Sequence, residues 1–162
     1  MSGIVNSAGS RSGVIATKTF VNTPAFSATA SYTNIPLNDS TPMTLSSERF
    51  DVGSNLSGNT FTAPVTGKYL FTYMFYFANV DGDHTTLDVH ILTTLKQYQQ
   101  TFKPSVTFDV NGTLTDANFS VSSSIIADMD AGDTTLFQVH ISGGGATTDL
   151  HADSQVSGCL LY

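Results

Sequence analysis

The stretch that decides the fold is Phe61-Thr-Ala-Pro-Val-Thr-Gly-Lys-Tyr-Leu-Phe-Thr-Tyr-Met-Phe-Tyr-Phe-Ala-Asn79. After Lys68 it contains no charge and is rich in aromatic residues, which favours a β-strand over a helix. Side chains alternate between the two faces of a strand, so the aromatic residues at odd positions from 69 to 77 share one face. The other face carries Leu70, Thr72, Met74 and Tyr76. Both faces of this strand are therefore largely apolar.

A strand with two apolar faces needs a cover on each side. An antiparallel strand in a monomeric sandwich normally shows a polar face to water. Since monomers rarely leave large apolar patches bare, we expect the second face to pack against copies of the same chain. The alternative is a central strand that a loop or second layer of the same chain covers.

The composition predicts an all-β domain. The chain has 162 residues, of which 12% are charged, and is long enough for one domain with its own core. No window holds apolar residues at helical spacing for three turns, and short alternating segments separated by Gly, Asn and Asp turns predict about ten antiparallel strands. In one of them Leu87, Val89 and Ile91 point inward, and Asp88 and His90 point outward. The Asn111-Gly112 pair predicts a hairpin turn later in the chain.

The charge balance excludes several partners. A net charge of −7 with only six Lys and Arg residues argues against nucleic acid and against anionic membrane surfaces. The N-terminus lacks the features of a signal peptide, and no apolar run is long enough to insert into a membrane. We therefore expect synthesis in a reducing cytoplasm. Cys159 is the single cysteine and stands among apolar residues, which predicts a buried, unreactive thiol.

Two groups of residues are candidate metal ligands. Asp81 and Asp83 flank a glycine and are calcium candidates, because calcium prefers carboxylate and carbonyl oxygens. Asp and Gly are also the ordinary residues of turns. His90 and His140 project outward from strands that can lie side by side, as a zinc pair would require, but no third ligand is evident. No cofactor is expected.

The candidate binding loop runs from residue 143 to residue 153, and we expect it to be long, mobile and exposed at a strand end. Its candidate binding residues are Gly143, Gly144, Gly145, Thr147, Asp149 and His151. The alternative is a plain connector. The chain contains no Gly-x-Ser-x-Gly, His-Glu-x-x-His or phosphate-binding glycine motif, so we predict that it is not an enzyme. A carbohydrate-active enzyme is the weakest alternative.

The chain resembles the jelly-roll heads of the complement-subcomponent-q and tumour necrosis factor group. That group carries Phe, five residues, and then Gly-x-Tyr-x-Phe-x-aromatic, which Phe61, Gly67, Tyr69, Phe71 and Tyr73 match without a gap. The aromatic residue that the group normally carries shortly before this Phe is missing here. The resemblance implies a jelly-roll sandwich of the tumour necrosis factor type that forms a homotrimer.

The resemblance also implies which side chains face the threefold axis. These residues are Leu70, Thr72, Met74, Tyr76, Ser122, Ser124, Ile126, Val156, Gly158 and Leu160. It places Cys159 and Leu161 in the core instead.

The first sixteen residues differ from the rest of the chain and are predicted to form a docking arm, followed by the head at 17–162. The arm is rich in Gly and Ser, which cannot bury enough apolar surface to order alone. Its candidate docking residues are Ile4, Val5, Arg11, Val14 and Ile15. The arm is similar to short leaders of phage virion proteins, notably marine ones.

The resemblance of the arm implies a virion component: a fibre tip, head fibre or capsid decoration. The arm would bind another virion protein, and loops of the head would bind a host-surface glycan or receptor. The protein would be made in the host cytoplasm and end in the virion. The alternative is a free, soluble trimeric ligand or lectin-like recognition protein.

Overall fold

The computed structural model describes residues 23–107 and 117–162. In these ranges the strands are β1 (Ala25–Ile35), β2 (Ser40–Pro42), β3 (Thr44–Val52), β4 (Leu56–Ser57), β5 (Thr60–Thr62), β6 (Gly67–Val80), β7 (His84–Thr93), β8 (Gln97–Phe102), β9 (Ala117–Met129), β10 (Thr134–Gly143) and β11 (Thr148–Leu160). One short helix, α1 (Pro104–Thr107), follows β8. None of the helices in the described ranges is long and apolar enough to cross a membrane.

The strands form two sheets packed face to face. The five-stranded sheet has the order β3-β1-β11-β6-β9, and the six-stranded sheet has the order β4-β5-β10-β7-β8, with β2 also paired to β10. All of the strand pairs are antiparallel. The predicted all-β antiparallel sandwich is therefore confirmed, with eleven strands in the described residues where about ten were expected.

The core lies between the two sheets and contains the aromatic face of β6. Each of its members there is at most 4% exposed: Tyr69, Phe71, Tyr73, Phe75 and Phe77. The six-stranded sheet contributes the predicted inward residues of β7 and their counterparts on β10, which are Leu87, Val89, Ile91, Phe137, Val139 and Ile141. Phe61 joins the sheets, with ring centroids 5.0 Å from Phe26 and 5.7 Å from Phe71.

The hairpin predicted around Asn111-Gly112 required the strands before and after it to pair with each other, and this prediction is wrong. In the described residues β8 pairs with β7 in one sheet, and β9 pairs with β6 in the other. The chain therefore crosses between the sheets after β8. Asn111 and Gly112 themselves lie outside the described residues.

The outer face of β7 also differs from expectation. Asp88 and His90 point away from the core, as predicted, but they are only 9% and 5% exposed. Burial lowers the pKa of His90, although the neighbouring Asp88 carboxylate opposes this shift. Alternation alone fixes the direction of a side chain and not what covers it.

Candidate self-association surface and end loop

The face of the five-stranded sheet that points away from the core is named the open face. Its central residues come from three neighbouring strands: Leu70, Thr72, Met74 and Tyr76 from β6, Ser122, Ser124 and Ile126 from β9, and Gln155, Ser157 and Cys159 from β11. Leu70 lies opposite Ile126, and Met74 lies opposite Ser122. The hydroxyls of Thr72 and Ser157 are hydrogen-bonded at 2.7 Å. The strand order thus brings these residues together on one surface.

The centre of the open face has no charged residue and exposes large apolar side chains. Met74 is 46% exposed and Ile126 is 59% exposed. Ser122 and Ser124 are exposed between them, and their small side chains leave room for another surface to approach closely. At one end the face is bordered by an ion pair between Lys68 and Asp128. Exposed apolar groups rimmed by polar ones are typical of protein association sites.

The predicted axis-facing side of β11 is wrong. Val156 lies opposite Tyr73 and is 1% exposed, and Leu160 lies opposite Tyr69 and packs against the core. Gly158 lies opposite Phe71, also on the core side. The pairing of β11 with β6 is irregular between Leu150 and Gln155, but even-numbered residues of β11 face the core on both sides of this irregularity.

The residues of β11 that do reach the open face are Gln155, Ser157 and Cys159. The first two were not among the predicted axis-facing residues, and the resemblance placed the third in the core. Cys159 lies opposite Leu70 on the open face and is only half-buried, so the prediction of a buried thiol is wrong. The sequence signal for the correct face was the alternation of polar Gln155 and Ser157 with apolar Val156.

The candidate binding loop is shorter than predicted. Only residues 144–147 lie between β10 and β11, and 148–153 belong to strand β11. The strand is irregular in this region, which leaves His151 and Asp153 exposed. The ring of His151 packs against that of Tyr76 at a tilt of 58°, with centroids 5.1 Å apart. Residues 144–147, between the end of β10 and the start of β11, are named the end loop.

Asp81 holds the end loop from the β6–β7 turn. Its Oδ2 accepts hydrogen bonds from the backbone N–H groups of Gly145 (2.9 Å) and Ala146 (3.0 Å), and its Oδ1 accepts one from Asp83 (2.9 Å). Burial alone would raise the pKa of Asp81, but these three donors and the nearby His84 outweigh it and lower the pKa.

The same contacts argue against calcium at Asp81 and Asp83. Both oxygens of Asp81 already face N–H groups, whose positive ends repel a cation, and the side chain of Asp83 is exposed beside them. A calcium ion needs six to eight oxygen ligands. Asp81 is better explained as the anchor of the loop.

His84 is the second anchor and is fully buried. Its Nδ1 lies 3.0 Å from the carbonyl oxygen of Gly143 and its Nε2 lies 2.9 Å from the hydroxyl of Thr148. Because a carbonyl can only accept, Nδ1 carries a proton and donates to the carbonyl oxygen of Gly143. Gly144 lies close to this ring and has a φ of +73°. A Cβ atom at this position would stand 2.6 Å from Nδ1 of His84, so there is no space for a side chain.

Asp149 ties two further segments to the end loop. Its Oδ1 accepts from the backbone N–H of Asn34 at 2.7 Å, and its Oδ2 accepts from Nδ2 of Asn79 at 2.8 Å. The hydroxyl of Thr147 donates to Oδ1 of Asn34 at 2.7 Å. Gly143, Gly145, Thr147 and Asp149 are thus each held by hydrogen bonds to residues from other parts of the chain.

The predicted docking arm cannot be placed in this framework. Ile4, Val5, Arg11, Val14 and Ile15 lie outside the described residues, and their assignment stays a prediction.

The comparisons with known proteins identify the fold. The globular domain of zebrafish complement 1qA superposes with a TM-score of 0.59 at 18% identity, covering 86% of this chain and 98% of that one. Murine APRIL superposes with a TM-score of 0.57 at 12% identity, covering 85% and 98%. The chain has the complement-q and tumour necrosis factor jelly-roll fold. No protein-family model and no curated protein matches it.

Proposed function

We propose that this chain is a non-enzymatic recognition head that works as a homotrimer, with the open face of each copy packed around a threefold axis. The observation that supports this most is the uncharged centre of the open face, where Met74 and Ile126 are exposed beside small hydroxyl side chains. A single heterologous contact repeated three times closes a ring and covers this surface in every copy.

The end loop is the proposed recognition element of each head. Asp81 binds two of its backbone N–H groups, and His84 and Asp149 hold the residues on either side of it, so little conformational entropy would be lost when a ligand binds. A threefold arrangement would present three such loops at the same end. Three weak sites on one particle increase the overall affinity without any new contact.

We propose further that residues 1–16 attach this head to a virion. The support is the Gly- and Ser-rich sequence of the arm, with its two apolar pairs around Arg11. In this role the trimer is a fibre tip, head fibre or capsid decoration, and its ligand is a glycan or receptor on the host surface.

The second candidate is a free trimeric ligand or lectin-like protein. It is favoured by the fold shared with the zebrafish complement 1qA domain and murine APRIL. This candidate uses the same open face and end loop, and it needs no docking arm.

Deleting residues 2–15 distinguishes the two candidates. The virion role predicts that the deleted chain still forms soluble trimers but is no longer incorporated into particles. If incorporation is unchanged, the arm is not the attachment device and the virion proposal is wrong. If the trimer itself is lost, the arm is part of the assembly contact. Binding of the isolated head to a glycan array or to cells would favour recognition over passive decoration.

A further inference from the structure

The outer face of the six-stranded sheet carries a buried polar cluster that the proposed function does not use. Asp88 and His90 are two residues apart on β7, so they share this face. On the neighbouring strand β10, His140 lies directly opposite Asp88, and Gln138 lies directly opposite His90. On the other side of β7, Gln99 of β8 lies opposite His90. The register therefore gathers one carboxylate and two imidazoles at neighbouring positions.

His90 lies in this cluster between two amide side chains, and it is only 5% exposed. The side-chain nitrogen of Gln138 is 3.2 Å from its Nδ1, and Gln99 is a second hydrogen-bond partner. With the amide nitrogen toward the ring, Gln138 donates and Nδ1 accepts, so Nδ1 carries no proton. A proton on Nδ1 would force this amide to turn its oxygen toward the ring. The contact with Gln138 therefore fits the neutral form of His90.

The surroundings of His90 also oppose a positive charge on its ring. Burial removes the water that would solvate an imidazolium ion, and this effect, the largest, lowers the pKa of His90. The Asp88 carboxylate opposes this shift, a charge on His140 adds to it, and the hydrogen bond of Gln99 opposes it. From β8, Gln99 and Thr101 face this part of the cluster, and neither side chain titrates. Among the described residues, the titratable groups that act on His90 are thus Asp88 and His140.

We propose that Asp88, His90 and His140 form an acid-sensitive cluster, which keeps the six-stranded sheet packed while His90 is neutral and loosens the sheet when both imidazoles take up protons. Two positive charges then share a single carboxylate on two adjacent strands. The protonated ring of His90 is buried, and it loses the hydrogen bond in which Gln138 donates. β7 and β10 are inner strands of the six-stranded sheet, so their pairing supports the strands on either side.

The position of the cluster connects it with the end loop. β7 begins at His84 and β10 ends at Gly143, and these two residues lie opposite each other. His84 holds the carbonyl group of Gly143, directly before the end loop. Loosening of the β7–β10 pair in acid therefore weakens the support of this loop. The acid response of the cluster does not depend on the recognition role proposed for the loop.

The first test is urea unfolding of the full chain at a fixed protein concentration, between about pH 7.5 and about pH 5. Because the pKa of His90 is lowered in the folded chain, its contribution to stability is complete above the unfolded pKa and is lost as pH falls toward the folded pKa. The unfolding equilibrium constant should rise by up to about tenfold per pH unit through this group. His90→Gln keeps a polar side chain that cannot be protonated and should make this rise shallower. The window lies above 3.8, the ordinary pKa from which Asp81 is lowered, so the two acid responses stay separate.

The second test is nuclear magnetic resonance of the chain with isotope-labelled histidine, which needs no variant at His90. The titration midpoint of His90 should lie below that of the histidines in the urea-unfolded chain. Asp88→Asn should lower this midpoint further, because it removes a carboxylate that favours the protonated ring. His140→Gln should raise it, because it removes a like charge. The matched control is His151→Gln, which changes an exposed histidine of the five-stranded sheet and should leave the midpoint unchanged.

The proposal is overturned if His90 titrates at or above the midpoint of the unfolded chain. It is also overturned if Asp88→Asn and His140→Gln both leave the midpoint where it is in the wild type. The same holds if His90→Gln has the circular dichroism spectrum of the wild type and an equally steep rise of its unfolding constant in acid. If His90→Gln does not fold, the resonance measurements on the other chains decide the outcome.

Discussion

Gly158 of β11 lies directly opposite Phe71 of β6, and a Cβ atom at position 158 would stand 2.6 Å from the Phe71 ring. The same Cβ would stand 2.6 Å from Cε1 of Phe26. Both rings are fully buried, so neither can move aside into solvent. This glycine is what allows β1, β11 and β6 to pack their aromatic residues against one another.

Gly158→Ala should therefore destabilise the head. Overpacking of a well-filled core costs about 1–3 kcal/mol, and we expect the free energy of unfolding in urea to fall by that amount. The matched control is Gly145→Ala in the end loop, where a Cβ would meet nothing within 4 Å. Equal stability of the two variants would show that the core at Gly158 is looser than described.

Val156→Ala tests the corrected orientation of β11. Val156 is 1% exposed, so removing its methyl groups should lower the free energy of unfolding by about 1–3 kcal/mol and leave the oligomeric state unchanged. Gln155→Ala changes the adjacent residue on the open face and should alter stability by no more than about 0.5 kcal/mol. A change in the oligomeric state of Val156→Ala would show that this side chain belongs to the association surface after all.

The sequence predicts the two faces of β6 correctly because its aromatic residues alternate without interruption from Tyr69 to Phe77. The wrong faces of β11 came from the register that the family resemblance implies, since the alternation of polar Gln155 and Ser157 with apolar Val156 agrees with the structure. Alternation likewise gives the outward direction of His90 but not its burial. The burial of His90 depends on what packs over the outer face, and a single sequence does not contain that information.

The contacts that hold the end loop could not be predicted from the sequence either. Its glycines suggest a long mobile connector, yet Asp81, which is 64 residues before Gly145, fixes two of its backbone N–H groups. The only sequence signal for this contact is the Asp-Gly-Asp turn, which is equally typical of an ordinary hairpin. A carboxylate that binds backbone groups so far along the chain is recognised only once the fold is known.

Asp81→Asn should lower stability and change its dependence on pH. An amide cannot accept all three N–H groups, so at neutral pH we expect a loss of about 1–3 kcal/mol in urea denaturation. The pKa of Asp81 is lowered from 3.8 in the folded chain, so the unfolded chain binds more protons as the solution is acidified. The stabilisation by Asp81 is therefore complete above the unfolded pKa and is lost as pH falls through the folded pKa.

The pH comparison needs a control carboxylate from the same turn. Asp83 is exposed, and only its backbone N–H contacts Asp81, so Asp83→Asn should keep both the stability and the acid response of the wild type. In Asp81→Asn the decline in stability below the unfolded pKa should be shallower. Identical acid profiles for wild type and Asp81→Asn would contradict the anchoring role.

Met74→Lys and Ile126→Lys should each disrupt self-association without unfolding the head. Both side chains are exposed in one copy, so a lysine is tolerated there, but three copies around an axis would have to bury three like charges. We expect loss of the trimer in sedimentation with an unchanged circular dichroism spectrum. Leu95→Lys is the control, because Leu95 is 70% exposed in the turn between β7 and β8, away from the open face.

The most direct test of the central claim is the mass of the wild-type particle by sedimentation equilibrium at micromolar concentration. One chain has a mass of 17.2 kDa. Self-association through the open face predicts a particle of three times that mass, stable on dilution across the micromolar range. A single species of 17.2 kDa would show that the open face is left uncovered, and it would contradict the proposed trimeric head.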